Sequence, residues 1–233
     1  MKTKIISLCM FILSSSLAFS TPTYAKKALI IVDMQNCFVS GADSVVHSLP
    51  VKGGRDIVQG INQLQEKFDI VVATKDWHPA NHGSFASQHS GKKPFDMSVL
   101  GGVDQVLWPD HCVQNTLGAE FVNGLTTDKI THTTFKGLDP NVDSYSGFKD
   151  NNQSAKTDLD DFLKSQQVDE IYVVGLAADY CVKATAIDGA NLDYKTYFIK
   201  DLTRAVDPSE ENIQKIYSEL EKSGVEVISS ETI

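Results

Sequence analysis

Hydrophobic positions in this chain fall into six short runs, which are separated by longer amphipathic stretches. The runs lie at 28–32, 70–73, 130–135, 171–176, 196–199 and 225–228, and the third is the least apolar. They are rich in β-branched residues, which favour strands. Runs with so little alternation between apolar and polar residues are typical of strands that are covered on both faces.

The stretches between the runs carry apolar residues at helical spacing. The sets are Ile57, Ile61, Leu64 and Phe68, then Leu159, Phe162 and Leu163, then Ile213, Ile216, Tyr217 and Leu220. The sequence PSEE at 208–211 predicts the start of the last helix, and Gly224 predicts its end. Strands alternating with helices predict an α/β protein whose parallel sheet has helices on both faces.

The first 25 residues form a segment distinct from the rest. Lys2 and Lys4 give a basic start, the apolar run 5–13 is too short to span a bilayer, and Ala25 completes a sequence that fits a signal-peptidase site. We therefore predict a signal peptide at 1–25 and export of residues 26–233, as one domain, to the periplasm or beyond. The serines at 14–16 interrupt the apolar run early, which disfavours an uncleaved anchor or a buried N-terminal strand.

Composition narrows the classes of partner. The chain has 233 residues, 42% of them hydrophobic, which is ample for one core, and its formal charge is −9 at pH 7. An acidic chain without a basic cluster argues against nucleic acid or an anionic membrane as a partner, and it leaves homo-oligomerisation open.

Beyond the leader the cysteines are Cys37, Cys112 and Cys181, so at least one thiol has no internal partner.

Chemically active side chains follow the apolar runs, where a parallel sheet places its ligands. Asp33 follows the first run, Lys136 the third, and Cys181 lies at the start of a helix after the fourth. Each alone has an ordinary explanation: a turn cap, a solvated lysine, a small buried apolar residue. Together the three residues are consistent with a catalytic site. A cysteine beside a cation at a helix N-terminus has a depressed pKa, and a carboxylate can take its proton.

The backbone N–H groups of 177–181 could face an oxyanion. The set predicts acyl transfer from an amide through a thioester.

A possible metal loop, TKDWHPANHGSF, follows the second run. It contains Asp76, His78 and His82, and His111 lies further along in WPDHC. Oxygen and nitrogen ligands of these kinds suit zinc, iron or manganese. Spacing alone favours a metal site and an ordinary polar loop about equally. His47, His89 and His132 show no such grouping and are interpreted as ordinary.

Taken together, these segments resemble the nicotinamidase/pyrazinamidase enzymes of the isochorismatase-like cysteine hydrolases. The matching stretches are ALIIVDMQNCF, TKDWHPANHGSF, LWPDHCVQNTLGAEF, TFKG, SYSGF and VVGLAADYCVKATAIDG, and the resemblance extends from about residue 28 to the C-terminus. It implies that 26–233 is an isochorismatase-like hydrolase domain, a three-layer α/β/α sandwich with a six-stranded, mainly parallel sheet. It also implies hydrolysis of nicotinamide, and of pyrazinamide, to the carboxylic acid and ammonia.

The resemblance further implies roles for individual residues. The catalytic residues would be Asp33, Lys136 and Cys181, and one divalent metal ion (Zn, Fe or Mn) would be bound by Asp76, His78, His82 and His111. The substrate would be bound by Phe38, Trp108 and Tyr145. The oxyanion hole would be formed by the amides of Ala177 and Cys181, after a cis Leu176–Ala177 bond. The metal would hold the pyridine nitrogen while Phe38 and Trp108 stack on the ring. Cys181 would attack the carboxamide, with Asp33 moving the proton and Lys136 favouring the thiolate.

Two other functions are consistent with parts of this pattern. One is a related amidase that acts on another small amide or a carbamoyl compound, which would not need a ligand for a ring nitrogen. The other is an exported metal-binding protein without activity, which would not need Asp33, Lys136 and Cys181 together. Ammonia release from nicotinamide separates both from a nicotinamidase.

One departure from the family concerns the cysteines. Many relatives have an acidic residue at the position of Cys37, next to Phe38, and Cys112 follows His111. A bond between Cys37 and Cys112 would leave Cys181 as the odd thiol. Sequence spacing does not decide whether the two cysteines are close enough to pair.

Overall fold

The computed structural model describes residues 25–39 and 48–233, so the predicted signal peptide up to residue 24, and His47, lie outside the described residues. The strands are β1 Lys27–Val32, β2 Ile70–Asp76, β3 Met97–Leu100, β4 Val103–Val106, β5 Ile130–Lys136, β6 Glu170–Leu176, β7 Lys195–Arg204 and β8 Glu226–Ile228. The α-helices are α1 Val58–Gln65, α2 Leu159–Ser165, α3 Lys183–Asn191 and α4 Glu210–Lys222. In the described ranges no helix is both long and apolar enough to cross a membrane.

Six of the strands form one sheet in the order β5-β2-β1-β6-β7-β8. Every pairing in it is parallel, so the predicted six-stranded sheet is confirmed and is parallel throughout. β1 lies in the middle, with β2 on one side and β6 on the other. The order of strands reverses at β1, and this is the point beside which α/β sheets of this type form their ligand crevice.

Helices cover both faces of the sheet because the side chains of each buried strand alternate between two cores. On one face Leu29 and Ile31 of β1 pack in a core with Ile61 of α1. On the other face Ile30 lies in a core that includes side chains of α2 and α4, such as Leu163. The predicted three-layer arrangement is therefore confirmed.

The ends of the last helix follow the local signals in the sequence. Ser209 caps α4 by accepting a hydrogen bond from Asn212 N, and the helix ends at Lys222, just before Gly224 at φ 80°. The first helix is shorter than the apolar spacing indicates. It ends at Gln65, and Phe68 lies beyond it, because the chain must turn before it enters β2 at Ile70.

A long segment between β2 and β5 folds back over the carboxyl edge of the sheet. It contains the antiparallel hairpin of β3 and β4, which the apolar pattern does not predict because these strands are short and largely exposed. Single bridges pair His78 with Val113 and Phe85 with Trp108. These pairings bring the two halves of the segment together above β2.

The turn after β1 is joined covalently to this segment. Cys37 lies in the short 3-10 turn Asn36–Phe38, and it forms a disulfide with Cys112, 75 positions away, across a Cα–Cα distance of 5.4 Å. Both cysteines are fully buried. Of the alternatives that spacing leaves open, the structure therefore contains the bond, and Cys181 is a free buried thiol.

Loss of this bond should destabilise the fold. A cross-link spanning 75 residues reduces the entropy of the unfolded chain, so replacing Cys37 and Cys112 by alanine should lower the free energy of unfolding by about 4 kcal/mol. Denaturant unfolding of both proteins without reductant measures the difference. Equal stabilities would show that the bond does not form in the native protein.

Candidate active site

The carboxyl ends of four neighbouring strands bring four reactive side chains together. Asp76 ends β2, Lys136 ends β5 and is its register partner, Asp33 follows β1, and Cys181 lies in the turn after β6. Lys136 Nζ lies 2.8 Å from Asp33 Oδ2 and 3.4 Å from Cys181 Sγ, and it also contacts Asp76 Oδ1. All four residues are buried. The three residues predicted to be catalytic therefore meet, with Asp76 as a fourth member.

Asp33 is fixed by a threonine that the sequence did not single out. Thr74 Oγ1 donates to Asp33 Oδ1 at 2.6 Å and accepts from Asp33 N at 3.2 Å. Burial raises the pKa of Asp33, although the Lys136 ammonium acts in the opposite direction. A carboxylate whose pKa is raised is a better proton acceptor, which suits a general base.

The charge on Lys136 persists in spite of its burial. Burial lowers the pKa of this ammonium, but Asp33 and Asp76 outweigh the effect and hold the pKa well above its usual range. Nζ also donates to Ser144 O at 3.1 Å. The cation is thus compensated on several sides, which is the condition for keeping a charge inside a protein.

Cys181 lies in a one-turn π-type segment, Ala178–Val182, directly before α3. The Leu176–Ala177 bond before it is cis, as the family resemblance implies, and Tyr180 N and Val182 N both donate to Ala177 O at 3.1 Å. These bonds fix the turn at the edge of the sheet.

The expected depression of the pKa of Cys181 is wrong. Burial raises the pKa of the thiol well above its ordinary value, and the lowering by Lys136 is opposed by Asp33 and Asp76. The sequence shows the cation and the helix start but not the complete burial or the second carboxylate. Cys181 is therefore a neutral thiol, and a base would have to remove its proton before the sulfur could act as a nucleophile.

Asp76, His78 and His111 form a group that could hold a metal ion. Asp76 Oδ2 lies 3.4 Å from His78 Nε2 and 3.6 Å from His111 Nε2. The Nδ1 atoms face carbonyl oxygens of Gly137 and Pro109, at 3.0 Å and 2.8 Å. A carbonyl only accepts, so Nδ1 carries a proton, and Nε2 is the nitrogen of each ring that faces Asp76. Burial lowers the pKa of His78, but the Asp76 carboxylate outweighs this effect and raises the pKa.

Asp76 keeps its charge in this group. Burial raises its pKa, but Lys136 and His78 outweigh the effect and hold the pKa well below its usual range. A charged carboxylate and two imidazole Nε2 atoms, which become ligands when they release their protons, are a suitable donor set for a divalent transition metal.

His82 lies in a second, overlapping group with His78 and Asp143. Its Nδ1 is 2.7 Å from Ser84 Oγ, and its buried Nε2 has no hydrogen-bond partner among the described residues. Burial, together with His78, lowers the pKa of His82 to about 4, so the ring is neutral at pH 7. The four predicted ligands thus form two groups that share His78, whereas His89 and His132 belong to neither.

Asp143 is a site residue that the sequence reasoning missed. Its carboxylate accepts from Gln105 Nε2 at 2.8 Å and from Ser144 N at 2.8 Å, and its side chain is buried. The only local signal was its position directly before the SYSGF stretch.

Gly137 lets His78 approach the end of β5. Its φ is 65°, and a Cβ at this position would lie 2.4 Å from His78 Cε1. Any other residue would displace the imidazole, so the glycine of the TFKG stretch is required by the close contact.

Beside the reactive group is a narrow pocket. Phe38, Trp108 and Tyr145, the predicted substrate-binding residues, all line it, as do Ala177 and Cys181. Trp108 Nε1 donates to Tyr145 Oη at 3.2 Å. Leu49, Tyr180 and Val206 also line the pocket and were not predicted, because apolar residues in loops carry no distinctive signal. An apolar cavity with a few polar groups is typical of a small-ligand site.

The comparisons with known proteins agree with this geometry. The Isochorismatase domain family matches residues 27–232. The nicotinamidase of Escherichia coli (strain K12) is 43% identical over 202 residues, which cover 85% of this chain and 92% of that protein.

Two solved structures are similar in fold and sequence. A nicotinamidase/pyrazinamidase of Acinetobacter baumanii has a TM-score of 0.83 and 37% identity, covering 90% of this chain and 99% of the other. A pyrazinamidase of Pyrococcus horikoshii in complex with zinc has a TM-score of 0.68 and 34% identity, covering 88% and 99%. The chain therefore belongs to the isochorismatase family, in which curated relatives that are 38–43% identical to it are nicotinamidases, and it is an amidohydrolase.

Proposed function

We propose that this protein hydrolyses nicotinamide, and the similar amide pyrazinamide, to the carboxylic acid and ammonia. The observation that carries the proposal is that Cys181, which lies beside Lys136 and Asp33, lines a pocket that is also lined by Asp76, His78 and His111. The names of its relatives support this choice of substrate over another small amide or carbamoyl compound. The buried nucleophile and base distinguish the site from one that only binds metal.

The chain's own residues account for the amide chemistry. Asp33 takes the thiol proton as Cys181 Sγ forms a bond to the carboxamide carbon, and the carbonyl electron pair moves to oxygen. The amides of Ala177 and Cys181 would stabilise this oxyanion. When the carbonyl re-forms, the C–N bond breaks, the nitrogen receives the proton from Asp33, and ammonia leaves a thioester.

The second half of the reaction uses the same groups. Asp33 removes a proton from water as the water oxygen attacks the thioester carbon. The C–S bond then breaks, and the proton returns to Cys181. Throughout, the Lys136 ammonium, 3.4 Å from Sγ, stabilises the thiolate whenever it forms and holds Asp33 in place.

The donor set fits a divalent transition metal. Asp76, His78 and His111 would hold the ion, and the zinc complex of the Pyrococcus relative supports this assignment. When bound, such an ion supplies a Lewis acid for the ring nitrogen of the substrate. His82 remains a predicted ligand, and its Nε2, which has no hydrogen-bond partner among the described residues, belongs to the overlapping group with His78 and Asp143. Phe38 and Trp108 would stack on the ring.

We also propose that the protein is exported and is cleaved after Ala25. The basic and apolar pattern of residues 1–25 supports this, and so does the disulfide, because such bonds persist in oxidising compartments. The mass of the mature protein purified from its host would reveal the cleavage. A chain that retains residues 1–25 would contradict it.

Replacing the nucleophile should separate chemistry from binding. Cys181→Ala removes the sulfur that forms the thioester, so ammonia release from nicotinamide should fall at least about 10³-fold. Zinc content should stay the same, because the proposed ligands are Asp76, His78 and His111. Cys181 is close enough to Asp33 and Asp76 to form a further candidate group, so a loss of zinc in this variant would place the ion there instead. An ammonia assay and metal analysis of the same sample test both expectations. Substantial residual turnover would exclude Cys181 as the nucleophile.

Removal of the metal should stop turnover while the protein stays folded. Dialysis against a chelator should abolish ammonia release from nicotinamide, and adding back zinc, iron or manganese in turn should restore it and identify the effective ions. Circular dichroism before and after dialysis controls for unfolding. Full activity in a sample shown to be metal-free would refute the proposed role.

Displacing His78 indirectly should weaken metal binding. In Gly137→Ala the new methyl would meet the His78 ring, so zinc affinity should fall about tenfold or more. Gly102→Ala is the matched control, since Gly102 also has a positive φ, 83°, but its Cβ would meet nothing within 4 Å. Titration calorimetry with zinc measures both. Equal affinities would show that His78 is not a ligand.

A further inference from the structure

The disulfide lies between two segments that both contribute to the pocket. Cys37 directly precedes Phe38, and Cys112 directly follows His111. The rings of Phe38 and His111 are in edge contact, with centroids 5.4 Å apart. The bond therefore joins the chain neighbours of an aromatic wall residue and of a candidate metal ligand.

The backbone of each cysteine holds a second pocket residue. Cys37 O accepts from Leu49 N at 2.9 Å, and Cys112 O accepts from His78 N at 3.1 Å. Leu49 and His78 both line the pocket. Four lining residues thus depend on the positions of two cysteines, two through the adjacent peptide bond and two through a hydrogen bond.

Cys112 also has an unusual backbone conformation. Its φ is 45°, in the left-handed region that residues with a Cβ rarely adopt. Such a conformation persists only where the surroundings determine it, and here a covalent bond to a buried turn does so. The same backbone conformation sets the orientation of His111, one residue earlier, relative to the chain that follows.

We propose that Cys37 and Cys112 are positioning residues, whose disulfide holds Phe38 and His111 in the geometry needed for metal and substrate binding. This role is additional to the stabilising effect of a long cross-link. It rests on the proposed function for the identity of the substrate but not for the effect on the metal. The cysteines touch no reacting atom, so their loss should act on affinities rather than on the chemical step.

The test compares two kinds of destabilised protein. In Cys37→Ala/Cys112→Ala we expect zinc affinity to fall about tenfold and KM for nicotinamide to rise about fivefold. The kcat at saturating zinc and nicotinamide should stay within about threefold of the wild type. Leu163→Ala is the control, because it removes a buried side chain of α2 near the start of β6, at the opposite end of the sheet. It should lose stability but keep its zinc affinity and KM.

The outcomes are separable. If the double variant is folded and its zinc affinity and KM match those of Leu163→Ala, the bond only stabilises the fold and the proposal is overturned. Should the alanine pair fail to fold, Cys37→Val/Cys112→Ala restores part of the lost volume and is measured in the same way. If the wild type releases no ammonia from nicotinamide, the proposed function fails, while the zinc affinities still decide the role of the disulfide.

Discussion

The buried ammonium of Lys136 is the interaction on which the site depends. It compensates the carboxylates of Asp33 and Asp76, and without it these two charges would be uncompensated in a water-excluded interior. It also links two chemical units. Asp76 faces Lys136 with Oδ1 and the imidazoles of His78 and His111 with Oδ2. One carboxylate thus belongs both to the cluster with Asp33, Lys136 and Cys181 and to the candidate metal-binding group.

The parallel sheet makes this arrangement possible. β5, β2, β1 and β6 are adjacent, and their carboxyl ends supply Lys136, Asp76, Asp33 and Cys181 in the same spatial order. Because each side chain extends from a rigid strand end or the turn next to it, distances near 3 Å are set by strand pairing rather than by loops. The segment that follows β2 supplies the three histidines and Trp108, whereas Phe38 lies in the turn after β1 and Tyr145 lies after β5.

Complete burial gives these groups properties that their identities alone do not. The Cys181 thiol has a raised pKa in spite of the nearby cation, and Asp33 also has a raised pKa. A neutral thiol beside a basic carboxylate is a resting state that avoids an exposed, oxidisable thiolate. In the proposed mechanism the proton leaves the sulfur as the sulfur attacks the amide. This explains how a free cysteine could persist in a chain that also forms a disulfide.

By itself, the sequence determined the order of elements along the chain: six apolar runs, helices between several of them, and the reactive residue types that follow the first four runs. Local signals were sufficient to predict elements and their ends, as Ser209 and Gly224 do for the last helix, because secondary structure depends largely on near neighbours in the chain. The family resemblance added the roles of residues such as His111. Only the tertiary structure decided that Cys37 and Cys112 pair, that His82 groups with Asp143 rather than with Asp76, and that the pKa of Cys181 is raised. Each of these depends on burial or on distance between residues far apart in the chain, and spacing along a sequence carries neither.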